Sequence, residues 1–374
     1  MVCRGRQPMT AIDRIETLRR GPVLAVRVTT ADGAVGIGQA APYQVECTEQ
    51  VLHAMVAPSF LGTDPADVEA VTRQCFREHY KFLGSFFNRA VAGVETAVWD
   101  LLGQLSARPV HQLLGGTVRT RVPVYLSSMV RDRGPQEELA HLQALIERDG
   151  FTGVKIRIGT PMGADVDQWP GRTEQLIKSM RDGLGDELSI RADANGGYSA
   201  AEAVRVGRML EEHGYFHFEE PCPYPQIEQT GSVAQALDIP IAGGEQDTSL
   251  EQFARILQHG FLDIVQPDIG YLGGVGRARE VAAMADVFGV PCTPHCANHS
   301  LLEVFTLHLA AAMPACGQAQ EWSAEDVAWA RDVYEPALEV IDGHVSLPTG
   351  PGWGVRLTER FTQEAVRAVS PATT

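Results

Sequence analysis

Two kinds of hydrophobic pattern divide the chain. Over residues 11–18 and 22–30 the apolar positions fall in short strand-like stretches, and Val35-Gly36-Ile37-Gly38 resumes that pattern after the turn Ala31-Asp32-Gly33-Ala34. Residues 88–103 then switch to a helical period, with Ala90, Val91, Val94, Ala97, Val98, Leu101 and Leu102 along one stripe. Strands followed by helices predict an α+β unit for the first hundred or so residues.

From about Val122 the pattern becomes a regular alternation. Short apolar runs at 123–126, 153–158, 188–192, 215–218, 239–242, 262–265, 290–293 and 318–322 read as eight strands. Most are separated by enough chain for a helix. Ser199-Ala200-Ala201-Glu202 and Ser249-Leu250-Glu251-Gln252 have the form of capping boxes, and Gly214 and Gly260 supply stop signals. Eight strands with helical crossovers predict a closed parallel barrel rather than an open sheet. The expected division is a capping domain over 1–119, a barrel over 120–344, and a C-terminal segment, 345–374, that returns to pack on the capping domain.

Composition narrows the function. The 374 residues are 44 % hydrophobic and 21 % charged, as in an ordinary globular protein, and the formal net charge is −16. A chain this acidic, with no basic run, repels phosphate backbones, so nucleic acid is not an expected partner. Neither a signal-peptide core after Met1-Val2-Cys3-Arg4-Gly5-Arg6 nor an apolar stretch of membrane-spanning length is apparent. The seven scattered cysteines form no CxxC pair, and the expectation is reduced thiols in a cytoplasmic protein.

In a parallel barrel the C-terminal ends of the strands meet at one mouth, where catalysis is found. Those ends carry Lys155 and Arg157, then Asp193 and Asn195, Glu219 and Glu220, Glu245, Asp268, His295, and Glu321. Asp193, Glu219 and Glu245 come from three adjacent strands. Carboxylates so placed repel one another unless a cation sits among them, and all-oxygen donors suit Mg²⁺ or Mn²⁺ rather than zinc. Asp268 beside His295 would fix the tautomer of the imidazole and raise its basicity, as a general base needs. Lys155 and Arg157 lie two apart and share a strand face, where both can offset the charge of a bound carboxylate and of the enediolate developing from it. Glu321, if protonated, would add a donor to the same oxygen. Strand alternation turns Glu220 away from Glu219. The glycine-rich run 270–276 fits neither the dinucleotide fingerprint nor the P-loop and reads as a tight strand-to-helix turn.

These residues carry a resemblance. Separations of 26 (Asp193 to Glu219), 26 (Glu219 to Glu245) and 27 (Asp268 to His295) resemble those of the enolase superfamily, and within it the mandelate racemase subgroup. The likeness spans nearly the whole chain. It implies a (β/α)₇β modified TIM barrel, of α/β class, with an α+β N-terminal capping domain. It further implies Mg²⁺ on Asp193, Glu219 and Glu245, a His295–Asp268 acid/base dyad, and Glu321 and Lys155 on the substrate carboxylate. Asn195 and the capping-loop residues Tyr43 and Lys81 are the expected substrate contacts, and homo-oligomeric assembly is expected. One departure matters. Where the family often has a second lysine as the base opposite the histidine, this chain has Arg157, and a guanidinium is a poor base. The resemblance therefore favours a dehydratase of an aldonate or aldarate over a racemase or epimerase of a 2-hydroxy acid, which needs a base on each face.

Overall fold

A computed structural model describes residues 11–371. Met1–Thr10 and Ala372–Thr374 lie outside the described residues, and with them Cys3 and the expected signal-free start.

The chain begins as an antiparallel sheet of β1 (Ile12–Arg20), β2 (Val23–Thr30) and β3 (Val35–Ala40). The strand Val366–Pro371 adds to it beside β1, so the last described residues close the sheet that the first ones open. Against β3 lies the helix Ser85–Ser106, which extends beyond both ends of its apolar stripe. The two approach closely because Gly36 and Gly38 lack side chains: a Cβ at Gly36 would stand 2.2 Å from the Ala97 carbonyl, and one at Gly38 2.4 Å from the Ala97 amide.

The barrel follows as β4 (Arg121–Ser127), β5 (Gly153–Arg157), β6 (Ser189–Asp193), β7 (His217–Glu219), β8 (Ile241–Gly243) and β9 (Ile264–Val265), each parallel to its neighbour. The last strand, β10 (Gln320–Ser323), pairs with β4 and brings the end of the barrel back to its start. This is the parallel barrel that the alternation predicts. One strand differs. Residues 290–293 join the sheet only through the bridges Val265–Cys292 and Asp268–His295. Pro291 lies within that run and Pro294 follows it, and prolines have no N–H to extend a ladder.

The capping boxes form by half. Ser199 and Ser249 each accept the amide of the residue three positions on. The reciprocal bond at Ser199 is absent, because its amide donates to Asp165 while Glu202 pairs with Arg205. Among the described residues no helix is long and apolar enough to cross a membrane.

Candidate active site

The strand ends converge as side chains, not merely as backbone. Lys155, Asp193 and Glu219 are fully buried, and Glu245, Asp268, His295 and Glu321 nearly so. Register explains this: β5, β6 and β7 pair with Arg157 opposite Asp193 and Asp193 opposite Glu219, which places their inward side chains at one level of the barrel.

Two cations cross-link the carboxylates. Lys155 Nζ lies 2.7 Å from Glu219 Oε1, 2.8 Å from Glu321 Oε1 and 3.6 Å from Asp193 Oδ2. His295 donates from Nδ1 to Asp268 Oδ2 at 2.8 Å, while its Nε2 lies 3.2 Å from Glu245 Oε2 and 3.7 Å from Glu321 Oε2. The expected dyad partners are therefore in contact, and the imidazole nitrogen facing away from Asp268 points among the other acids.

Charge and burial set the protonation. Burial would depress Lys155, but Glu219 and Glu321 outweigh it and hold the ammonium well above its ordinary range. Burial likewise opposes the charged forms of Glu219 and Glu321, yet Lys155 keeps both below the usual carboxylate range. His295 is lowered by burial and raised more strongly by Glu245, the Asp268 hydrogen bond and Glu321, ending at about 10. Asp193 is pushed up to about 7, chiefly by burial, with Arg157 opposing. Glu321 is accordingly an acceptor: it takes hydrogen bonds from Ser127 Oγ and the Cys296 amide. The donor role expected for it would require a proton that Lys155 and His295 oppose.

Arg157 is fully engaged. Its Nη1 donates to Asp193 Oδ2 and, at 2.9 Å, to Asn195 Oδ1; Nε donates to the Ser128 carbonyl and Nη2 to Met129 Sδ. Burial lowers its pKa, but Asp193 and the other acids raise it further still. Asn195 sits at positive φ and accepts from Arg131 Nη2 at 2.7 Å as well, so its amide oxygen joins two guanidinium groups.

Glu220 departs from expectation. At the end of β7 its φ is 42°, which breaks the strand alternation. Its carboxyl turns towards Asn195 Nδ2 at 3.4 Å and faces a cavity of about 310 Å³ lined also by Met162, Tyr224 and Gln246. Burial and the charges of Glu245, Asp193 and Glu219 hold it well above the usual carboxylate range.

As they stand, no three or more His, Cys, Asp or Glu side chains among the described residues are gathered closely enough to hold a metal ion. The donors nonetheless suit a hard divalent cation. Asp193 and Glu219 face a common ammonium, and Glu245 Oε2 is buried without a hydrogen bond. Five acids besides the raised Glu220 crowd the mouth (Asp193, Glu219, Glu245, Asp268 and Glu321) against Lys155, Arg157, Arg131 and His295, an excess of acidic groups that a cation offsets.

The capping loops are less committed. Tyr43 is 59 % exposed, with its ring edge-on to Trp329. Lys81 is exposed, its ammonium over the Tyr80 ring. Neither touches the buried cluster. Residues that also shape the mouth were given no role in the strand-end reading: Ser127, Arg131 and Gln266, whose Nε2 donates to Glu219 Oε2 at 3.1 Å. Gln266 carried a signal, since it also ends a strand; Arg131 carried none.

Known proteins share this architecture. The sequence matches the family described as Enolase C-terminal domain-like over residues 137–361, and that described as Mandelate racemase / muconate lactonizing enzyme, N-terminal domain, over residues 4–115. It is 29 % identical over 351 residues to an arabinonate dehydratase of Saccharolobus solfataricus, covering 91 % of this chain and 90 % of that one. To a D-galactonate dehydratase of Pectobacterium atrosepticum it is 29 % identical over 363 residues, 94 % of each. A provisionally named racemase of Roseobacter denitrificans superposes with a TM-score of 0.94 at 42 % identity, over 96 % of this chain and 100 % of that one. A mandelate racemase/muconate lactonizing protein of Paracoccus denitrificans PD1222, complexed with magnesium, gives a TM-score of 0.88 at 31 % identity, over 96 % and 98 % of the two chains.

Proposed function

The chain belongs to the enolase superfamily, in its mandelate racemase subgroup, and from that membership we propose that it is a Mg²⁺-dependent dehydratase converting an acid sugar, an aldonate or aldarate, into a 2-keto-3-deoxy acid. The relatives named as dehydratases support this hydro-lyase reading.

Asp193, Glu219 and Glu245 are the residues that would hold the metal. A divalent cation, when bound, neutralises these acids and the negative charge that grows on the substrate carboxylate as its α-proton leaves. His295 would act as the base, with the orientation of its imidazole fixed through Nδ1 by Asp268. His295 Nε2 takes the α-proton; Lys155 and Arg157 offset the charge of the enediolate. The bond from the β-carbon to its hydroxyl then breaks, and His295 returns the proton so that water departs. The resulting enol becomes the 2-keto acid.

The observation that carries the reading is the asymmetry of the two faces. One side offers an imidazole whose Nε2 faces only the carboxylates of Glu245 and Glu321, the other a guanidinium tied to Asp193, Asn195, Ser128 and Met129. A single base suits elimination, in which one group removes and returns a proton. A screen of aldonic and aldaric acids with Mg²⁺, detecting 2-keto acid, tests it: product that vanishes with a chelator is expected, and none from any member of the panel would contradict it. The 42 % identity to the Roseobacter protein sustains a second reading, racemisation or epimerisation of a 2-hydroxy acid. Exchange of the α-proton with solvent deuterium, without keto product, would favour that alternative.

A further inference from the structure

The far side of the mouth, where the capping domain meets the barrel, holds a cation that the mechanism does not use. Arg89 lies in the first turns of the helix Ser85–Ser106 and is half-buried. Its Nη1 donates to the Pro42 carbonyl of the capping loop at 2.7 Å, and its guanidinium carbon stands 4.2 Å above the ring of Tyr271. Tyr271 in turn tilts towards His295, with 6.3 Å between ring centres, and its amide donates to Asp268 Oδ1. The guanidinium is thus one aromatic ring removed from the candidate base.

Arg89 differs from Arg157 and Arg131, the arginines already described at the mouth. Arg131 spends its Nε on the Gly159 carbonyl and its Nη2 on Asn195. In Arg89 the Nε is buried without a partner, Nη2 has none among the described residues, and no carboxylate of the described residues lies within ion-pair distance. A half-buried cation with donors to spare, held rigid by a ring and a carbonyl, favours an anion far more than a neutral hydroxyl.

Orientation of the substrate then follows. With the carboxylate next to the α-carbon at Lys155 and Arg157 and the α-proton at His295, a carbon chain continuing past Tyr271, the ring that joins His295 to Arg89, would end at the capping domain. A monoacid sugar ends there in a neutral hydroxymethyl group; a diacid ends in a second carboxylate. We propose that Arg89, propped on Tyr271, binds that second carboxylate, and that the enzyme prefers aldarates to aldonates. This rests on the dehydratase reading and adds the substrate class to it.

Steady-state kinetics on matched five- and six-carbon aldarate and aldonate pairs, with Mg²⁺, test the proposal in the full-length wild type, Arg89→Met and Arg89→Lys. The wild type is expected to show the higher kcat/KM on the diacid of a pair. Arg89→Met is expected to cut the diacid-to-monoacid ratio by about 100-fold, mainly through KM, and Arg89→Lys to restore part of it. A wild type that prefers monoacids overturns the inference while leaving the dehydratase reading intact. An equal loss on both members of each pair also overturns it, because Arg89 would then serve only to clamp Pro42 to Tyr271. Should Arg89→Met not fold, the wild-type ratio alone decides. Failure of every acid sugar in either form to yield a keto acid removes the dehydratase reading and this inference together.

Discussion

Lys155 shows how tightly the mouth is balanced at the level of single residues. It is fully buried and contacts Asp193, Glu219 and Glu321. Lys155→Met would leave buried carboxylates without their counter-charge, and loss of one partner of a buried pair typically costs about 3–5 kcal/mol. Chemical denaturation of the metal-free protein should show a loss of that order; an unchanged midpoint would mean that Lys155 is not a structural counter-ion. His295→Asn is expected to reduce kcat by about 10²–10⁴-fold, as for removal of a general base, with Mg²⁺ affinity by calorimetry retained. Wild-type turnover in that variant would remove His295 from the mechanism. Most residues of this cluster were legible in the sequence because each ends a strand, and strand ends of a parallel barrel share one mouth. Glu220 was misread, since period-two alternation does not hold through a residue at positive φ. Arg131 and Arg89 were not visible, because a loop and a helix of the other domain bring them in and no local pattern announces either.

The junction of helix and sheet is where element packing is most exposed to test. Gly36 and Gly38 let the helix Ser85–Ser106 lie directly on β3, and the atoms a new Cβ would meet there are mostly backbone. Gly38→Ala should therefore destabilise by at least the 1–3 kcal/mol typical of overpacking, read as a lowered denaturation midpoint. A neutral result would show that the helix can move away at little cost. Ser199→Ala removes the half of the capping box that does form and should cost about 1 kcal/mol in the same assay. The sequence pattern located these elements well because their apolar positions recur with the period of the structure they adopt. It failed at 290–293, where apolar residues suggested a strand but Pro291 within the run and Pro294 after it allow only isolated bridges. It also overstated the Ser199 box, since a competing acid, Asp165, approaches from a distant loop.

Across the whole molecule, three separate stretches meet at His308. Its Nδ1 accepts the His111 amide at 3.2 Å from the end of the capping domain, and its Nε2 donates to the Trp353 carbonyl at 3.1 Å from the returning C-terminal segment. Accepting at Nδ1 requires a neutral ring, and burial, assisted by His111, pushes the pKa down to about 3 although the bond to the Trp353 carbonyl opposes it. The unfolded chain binds a proton near pH 6.5 that the folded one refuses until about pH 3. This contribution to stability is complete above pH 6.5 and shrinks on acidification, by at most about 1.4 kcal/mol per pH unit. His308→Gln should be less stable than wild type at pH 7.5, and the gap should narrow by about 2 kcal/mol at pH 5; a constant gap would contradict a buried neutral imidazole. The reach of the C-terminal segment that creates this junction is a long-range fact, hidden from any local reading of the sequence. The chemistry assigned to the barrel mouth meets its most direct test in solvent deuterium. Proton NMR of an acid sugar with the Mg²⁺-loaded protein should show the α-C–H signal disappear as a 2-keto-3-deoxy acid accumulates, with neither change when His295→Asn replaces the wild type. Loss of the α-C–H signal with the substrate skeleton intact, or no change at all across the panel, would contradict the account.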